Sequence, residues 1–163
     1  MNARDAIKGS IAMAQMISID YLKDLTDAEM MHRPHPESNH IKWQVGHLIT
    51  SERMMVDGVA PGSMPPLPDG FAERYTKETA TSDDAAAFDS KEELLRVFDQ
   101  QRAATLAALD KLSDEDLDNA APESMREYAA NVCAVFNMQG AHWLMHAGQW
   151  AVIRRQLGRP PLY

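Results

Sequence analysis

The chain of 163 residues contains one cysteine, Cys133, and no long apolar run. A single cysteine excludes an internal disulfide framework and is typical of proteins in a reducing compartment. No run reaches the roughly 20 apolar residues that a membrane-spanning helix needs, and the first residues show no apolar signal core. We therefore expect a cytoplasmic protein without a membrane partner. Cys133 lies in an apolar helical run, which predicts a buried, inert thiol.

Basic residues are scarce relative to acidic ones. The 16 Lys and Arg residues stand against 24 Asp and Glu, which gives a net charge of −8. Phosphate backbones are bound by basic surfaces, so this balance argues against a nucleic-acid partner. The chain also has no Gly-rich cofactor loop and no iron–sulfur cysteine spacing, which favours transfer or hydrolysis over redox chemistry.

Hydrophobic residues make up 45% of the chain, which is enough for the core of one domain over residues 1–163. Four amphipathic segments carry apolar residues at helical spacing, and no segment has the alternation of a strand. We predict helices over about 3–24, 40–57, 90–112 and 126–157.

Capping residues and one long connection set the predicted topology. Asn39 is the predicted N-cap of the second helix, and Ser90 with Glu93 forms a capping box at the third. The Pro-rich connection 58–89 is long enough to run the length of a helix, so the helices that it joins can be parallel. We predict an all-α four-helix bundle in up-down-down-up order. The connection is expected to cover one end of the bundle or to join a dimer contact.

Three histidines are candidates for a metal site. His142 and His146 are four positions apart in a predicted helix, which places their Cβ atoms roughly 5–6 Å apart on one face. His47, on the second helix, could supply a third ligand. Three neutral imidazoles that leave positions for water are typical of a catalytic metal centre. A pair at this spacing also arises by chance among six histidines, so histidines of the core are the alternative.

The residues around these histidines resemble a known family. The motifs Trp43-x-x-x-His47 and His142-x-x-x-His146-x-Gly-Gln149 are similar to those of the DinB-like family, and the resemblance spans nearly the whole chain. It implies an up-down-down-up four-helix bundle, a divalent metal held by His47, His142 and His146, and a homodimer. Some members of this family are transferases or isomerases that use a low-molecular-weight thiol such as mycothiol or bacillithiol.

The expected function is that of a divalent-metal-dependent enzyme with a small-molecule substrate, either a thiol-dependent transferase or a hydrolase. A non-catalytic metal- or ligand-binding stress-related protein is the alternative. Zn, Ni, Fe and Mn all remain candidates, because imidazole ligands alone do not select the metal. For the homodimer, Trp150, Ile153 and the tail 160–163 are expected to leave apolar surface that a partner could cover.

Other side chains are candidates for roles beside the metal. Gln149 and Gln139 could each orient a ligand or water, or could instead cap the packed helix ends. Glu52 lies five residues beyond His47 and points away from it, so we interpret it as a solvated or inter-helix charge rather than a general base. Trp43 is expected to pack over the site rather than to bind substrate.

Two further groups are interpreted as structural. Three histidines around a pair of prolines could bind a metal adventitiously, but are more commonly polar loop residues. They are His32, His35 and His40. Four methionines are expected to fill the core, although methionine could also line a pocket for an apolar substrate. They are Met13, Met16, Met54 and Met55.

Overall fold

The computed structural model of the protein describes residues 2–163, and this range is all-α, as predicted. The helices are α1 (Ala3–Lys23), α2 (Ile41–Val59), α3 (Lys91–Lys111), the short α4 (Asp114–Asp118) and α5 (Val132–Gln156). The described residues form no strand beyond one isolated bridge between Ala120 and Asn131. None of these helices is long and apolar enough to cross a membrane.

Helix α2 begins at Ile41, one residue later than the predicted start at 40. His40, and not Asn39, is the N-cap, and its Nδ1 accepts a hydrogen bond from the backbone N–H of Trp43 at 3.1 Å. The carbonyl of Asn39 accepts instead from the side chain of Gln44 at 2.6 Å. Asparagine is the commoner cap, but here the buried imidazole supplies the acceptor and packs edge-on against Phe88.

Helix α5 begins at Val132, which corrects the predicted start at 126. The side chain of Asn131 accepts from the N–H of Ala134 at 2.9 Å and so caps the N-terminus of α5. Residues 126–131 contain good helix formers, but the pairing of Asn131 with Ala120 holds them in another conformation. A local cap and a long-range contact together override helix propensity at this point.

The interior is built from all four long helices. Buried apolar side chains form one large cluster, a second one next to the start of α1 and a smaller third one around Met55 and Val135. In the first cluster these helices contribute, among others, Leu22, Ile49, Phe98 and Trp150. In the second cluster they contribute Ile7, Val56, Leu109 and Phe136.

The connection between α2 and α3 is an ordered layer along α2, which differs from the predicted cover over one end of the bundle. The other predicted role, joining a dimer contact, stays a prediction. It buries side chains of its own and contains three single-turn helices. Near the C-terminal half of α2, Arg53 Nε donates to the carbonyl of Pro65 at 3.1 Å. Further back, the ring of Tyr75 lies so close to Gly46 that a Cβ atom there would be 2.3 Å from it. Only glycine fits at this position.

Several burial predictions are corrected by the structure. Of the four methionines expected in the core, only Met55 is buried. Met13 and Met16 lie between the buried positions of α1, such as Ile11, Ala14 and Ser18, so their side chains point outward. Cys133 is half-buried rather than fully buried.

The apolar surface expected near the C-terminus is present only in part: the tail 160–163 is exposed, with Leu162 39% and Tyr163 68% accessible, whereas the two helix residues are covered. Trp150 and Ile153 are fully buried within this one chain, so they do not form an exposed surface for a partner. The tail lies on α1, where the hydroxyl of Tyr163 donates to Asp20 at 2.7 Å.

Candidate metal centre

Three imidazoles from α2 and α5 lie together. One nitrogen of each of His47, His142 and His146 lies within 4.8 Å of the others. The ring centroid of His47 lies 5.5 Å from that of His142 and 5.9 Å from that of His146. The centroids of His142 and His146 are 5.0 Å apart. The four-residue spacing places two rings on one face of α5, and the packing of α2 against α5 adds the third. Within residues 2–163 this is the one group of His, Cys, Asp or Glu side chains arranged to hold a metal.

Burial keeps these imidazoles neutral at pH 7. Burial lowers the pKa of His142 to about 4, with a smaller contribution from His47. It lowers the pKa of His146 to about 4 as well, and the two neighbouring imidazoles add to the effect. Burial also lowers the pKa of His47. Neutral imidazole is the form that offers a lone pair to a metal, so the site is prepared for binding at neutral pH.

A buried amide, that of Gln44, fixes the tautomer of His146. Gln44 Oε1 lies 2.8 Å from His146 Nδ1 and accepts a second hydrogen bond from Trp150 Nε1 at 2.8 Å. Its amide nitrogen donates to the carbonyl of Asn39 at 2.6 Å. Because indole N–H only donates and a carbonyl only accepts, the orientation of the amide is set. His146 Nδ1 must therefore carry the proton, which leaves Nε2 as the free ligand atom.

The ring of Trp43 holds His47, as predicted. The two rings are stacked, with centroids 5.0 Å apart and an interplanar angle of 5°. The indole N–H of Trp43 donates to the carbonyl of Thr76 at 3.0 Å and approaches Thr79 Oγ1 at 3.2 Å. The layer between α2 and α3 thus reaches the histidines through one aromatic ring.

The two glutamines considered beside the metal have no hydrogen bond to the three histidines. Gln149 is exposed on α5. Gln139 is buried, but its amide donates to the carbonyl of Val135 at 2.7 Å, one turn earlier in the same helix. The glutamine that supports the site is Gln44, which sequence reasoning missed. Its signal is a polar side chain within the otherwise apolar face around Ile41 and Val45.

Glu52 is an inter-helix charge, one of the two predicted interpretations, and it is not solvated. It is buried between α2 and α3, where Oε2 accepts from Arg102 at 2.7 Å and Oε1 from Thr105 at 2.7 Å. Burial raises the pKa of the Glu52 carboxyl, and Arg102 and Thr105 oppose that rise. With both oxygens engaged by α3, this carboxylate serves helix packing.

The three loop histidines have separate partners. His32 Nε2 lies 2.8 Å from the Gln156 side-chain oxygen, and His35 Nδ1 accepts from the N–H of Glu37 at 3.2 Å. His40 caps α2. They form no common site, in agreement with their interpretation as structural residues.

Comparison with models of known families assigns this chain to a superfamily. The family model described as the DinB superfamily matches residues 11–150, a range that contains all three clustered histidines. The chain belongs to the DinB superfamily. Comparisons with curated proteins and with solved structures gave no match. The resemblance inferred from the Trp43 and His142 motifs is therefore confirmed at the level of the superfamily.

Proposed function

We propose that this DinB-superfamily protein is a divalent-metal-dependent enzyme whose metal is bound by His47, His142 and His146. The observation that supports the proposal is the convergence of three neutral imidazoles from two helices. Three nitrogen ligands leave at least one coordination position for water or substrate, as in catalytic centres.

The donor set fits Zn, Ni, Fe or Mn, since imidazole binds all of them to differing degrees. His146 directs Nε2 away from Gln44, and one nitrogen of each histidine lies within 4.8 Å of the other two, so these three residues would hold the ion. Trp43 stacks on His47 and Gln44 holds His146, which favours a preorganised site.

The proposed reaction is transfer or hydrolysis at an electrophilic carbon of a small molecule. When bound, the metal lowers the pKa of a water or thiol and so provides a nucleophile at neutral pH. A low-molecular-weight thiol is the proposed cosubstrate in the transfer reaction. The residues of the chain keep the ligands neutral through burial, hold two of the rings in place and offer an apolar wall beside His142.

We further propose that the single domain is a four-helix bundle in up-down-down-up order. The start of α1 lies beside the end of α3, where Lys8 pairs with Asp110. The end of α1 lies beside the start of α3, where Lys91 Nζ donates to the carbonyl of Lys23 at 3.0 Å. Opposite directions for α2 and α5 are supported by two contacts. They are Gln44 with Trp150 and Met55 with Gln139.

A homodimer and a cytoplasmic location complete the proposal. Membership of the superfamily supports the homodimer. Because Trp150 and Ile153 are buried within the chain, the interface must use other residues. The single cysteine supports a reducing compartment.

Metal analysis of the purified protein tests the site. We expect one divalent metal per chain, loss of that metal in His146→Ala, and retention in His35→Ala, whose imidazole is exposed. Equal metal content in both variants would contradict the site. Activity toward thiol and electrophile pairs should disappear after chelation and return with Zn or Ni. Metal binding without turnover of any such pair would favour a metal-binding stress protein instead.

A further inference from the structure

A pocket of about 400 Å³ opens between α2 and α5, beside the three histidines. One of its lining residues is His142, which also belongs to the histidine cluster. Four others are methionines from both helices. They are Met54, Met55, Met138 and Met145.

The pocket wall selects against charge. No Asp, Glu, Lys or Arg lines it among the described residues. Its polar groups are those of Ser51, Tyr128 and His142, and the Ser51 hydroxyl already approaches the sulfur of Met55 at 3.7 Å. A charged ligand group would lose hydration here without gaining an ion pair. Thioethers are polarizable and flexible, so they can adapt to apolar groups of different shape.

The dimensions of the pocket fit a small molecule. Small-molecule sites commonly measure about 300–1,000 Å³. An apolar cavity of about 150 Å³ binds benzene, so this pocket has room for a group of about two rings. Met55 is buried in its wall, whereas Met145 and Tyr128 are 59% and 50% exposed. An apolar ligand would cover these two exposed side chains, which is favourable.

We propose that this pocket binds the uncharged, aromatic or branched-alkyl part of the substrate, and that the reacting atom of that substrate lies at the histidine cluster. The second half of this statement rests on the proposed metalloenzyme function. His142 supports it, because the same imidazole belongs to both the cluster and the pocket wall. Met54 and Met55 thus line a substrate pocket, which is the alternative that the sequence offered to filling the core.

Binding of the uncharged fluorescent probe N-phenyl-1-naphthylamine tests the pocket. We expect one saturable site per chain, and we expect Met145→Glu to weaken binding at least about tenfold, because the new carboxylate would be desolvated against the probe. Met13→Glu is the matched control: Met13 is 60% exposed, lies on α1 and does not line the pocket. This control should leave the affinity unchanged. Equal affinities of the two variants, or no saturable binding, would overturn the proposal.

The same titration separates the pocket from the metal. The probe has no metal-binding role, so the pocket predicts unchanged probe affinity in chelator-treated protein and in His146→Ala. If the wild-type protein holds no metal as purified and still binds the probe, the pocket is supported and the metalloenzyme proposal fails. If the wild-type dimer excludes the probe and Met145→Glu becomes monomeric by sedimentation, the pocket is a contact between two copies and the proposal is wrong.

A pair of ligands tests the link between pocket and histidines. In zinc-loaded protein, 2-naphthalenethiol should bind more tightly than 2-methylnaphthalene, because only the thiol offers a donor to the metal. After chelation the two affinities should converge. Equal affinities in the loaded protein would overturn the placement of the reacting atom at the histidine cluster.

Discussion

The amide of Gln44 determines which nitrogen of His146 is available to a metal, and its removal should weaken metal binding. Gln44→Leu leaves the N–H groups of His146 and Trp150 without their acceptor. Loss of such an outer hydrogen bond lowers metal affinity by about 10–100-fold. Competition titration with a zinc chelator measures this change. Gln44→Glu keeps an acceptor oxygen and should retain more affinity than Gln44→Leu; the same affinity in Gln44→Leu and wild type would contradict the role.

Gly46 illustrates a constraint that acts at one atom. A Cβ atom there would lie 2.3 Å from the ring of Tyr75, so Gly46→Ala forces that ring to move. We expect it to lower the free energy of unfolding by about 1–3 kcal/mol, the usual cost of overpacking. Denaturant titration measures the loss. Gly9→Ala is the control, because nothing lies within 4 Å of its Cβ position in α1, and it should stabilise by about 0.5–1 kcal/mol. A similar gain at Gly46 would exclude the clash.

Residues whose partners are close in sequence could be identified before the structure, and residues with distant partners could not. The spacing of His142 and His146 places both on one helix face, whatever the rest of the fold does. The support of His146 by Gln44 spans 102 positions along the chain. The cap formed by His40 depends on its burial against Phe88, which no local pattern encodes.

Between elements, the buried pair of Glu52 and Arg102 joins α2 to α3. Both side chains are nearly inaccessible, and Arg102 also lies over the rings of Phe98 and Trp143. Glu52→Leu leaves a buried guanidinium without its anion, and should lower the free energy of unfolding by about 3–5 kcal/mol. Adding Arg102→Met should recover much of that loss, since an apolar pair of similar size is often as stable as the ion pair. Denaturant titration of Glu52→Leu, Arg102→Met and the double variant gives the coupling energy of the pair. If the two single losses simply add in the double variant, the pair is not coupled.

The four long helices were predictable as elements because their apolar stripes are continuous. The same logic failed for the layer between α2 and α3, whose turns depend on contacts such as Tyr75 on Gly46 and Trp43 with Thr76. It also failed at the start of α5, where the pairing of Asn131 with Ala120 keeps the helix from beginning before Val132. Periodicity identifies a helix, but it does not reveal a long-range partner that replaces helical hydrogen bonds.

For the molecule as a whole, the buried histidines predict acid sensitivity of the metal-free protein. Burial, with a contribution from Arg33, lowers the pKa of His40 to about 4. In an unfolded chain the histidine pKa is about 6.5, so between pH 4 and pH 6.5 the unfolded state binds more protons than the native state. The free energy of unfolding should therefore fall as the pH drops from about 6.5 to about 4, by on the order of 3 kcal/mol for His40. The depressed carboxyl pKa values, such as about 2 for Glu29, reduce stability only below about pH 4.5, where the unfolded carboxyl takes up its proton.

Denaturant titration between pH 7 and pH 4.5 checks this acid sensitivity, with His40→Asn as the informative variant. Asparagine can accept the same capping hydrogen bond from Trp43 but does not titrate, so the variant should lose less stability across this range than wild type. Its stability at pH 7 should be lower, because the smaller side chain leaves space beside Phe88. His35→Asn, at an exposed loop position, should follow the wild-type curve. If His40→Asn also follows the wild-type curve, the buried cap of α2 does not contribute to the acid sensitivity.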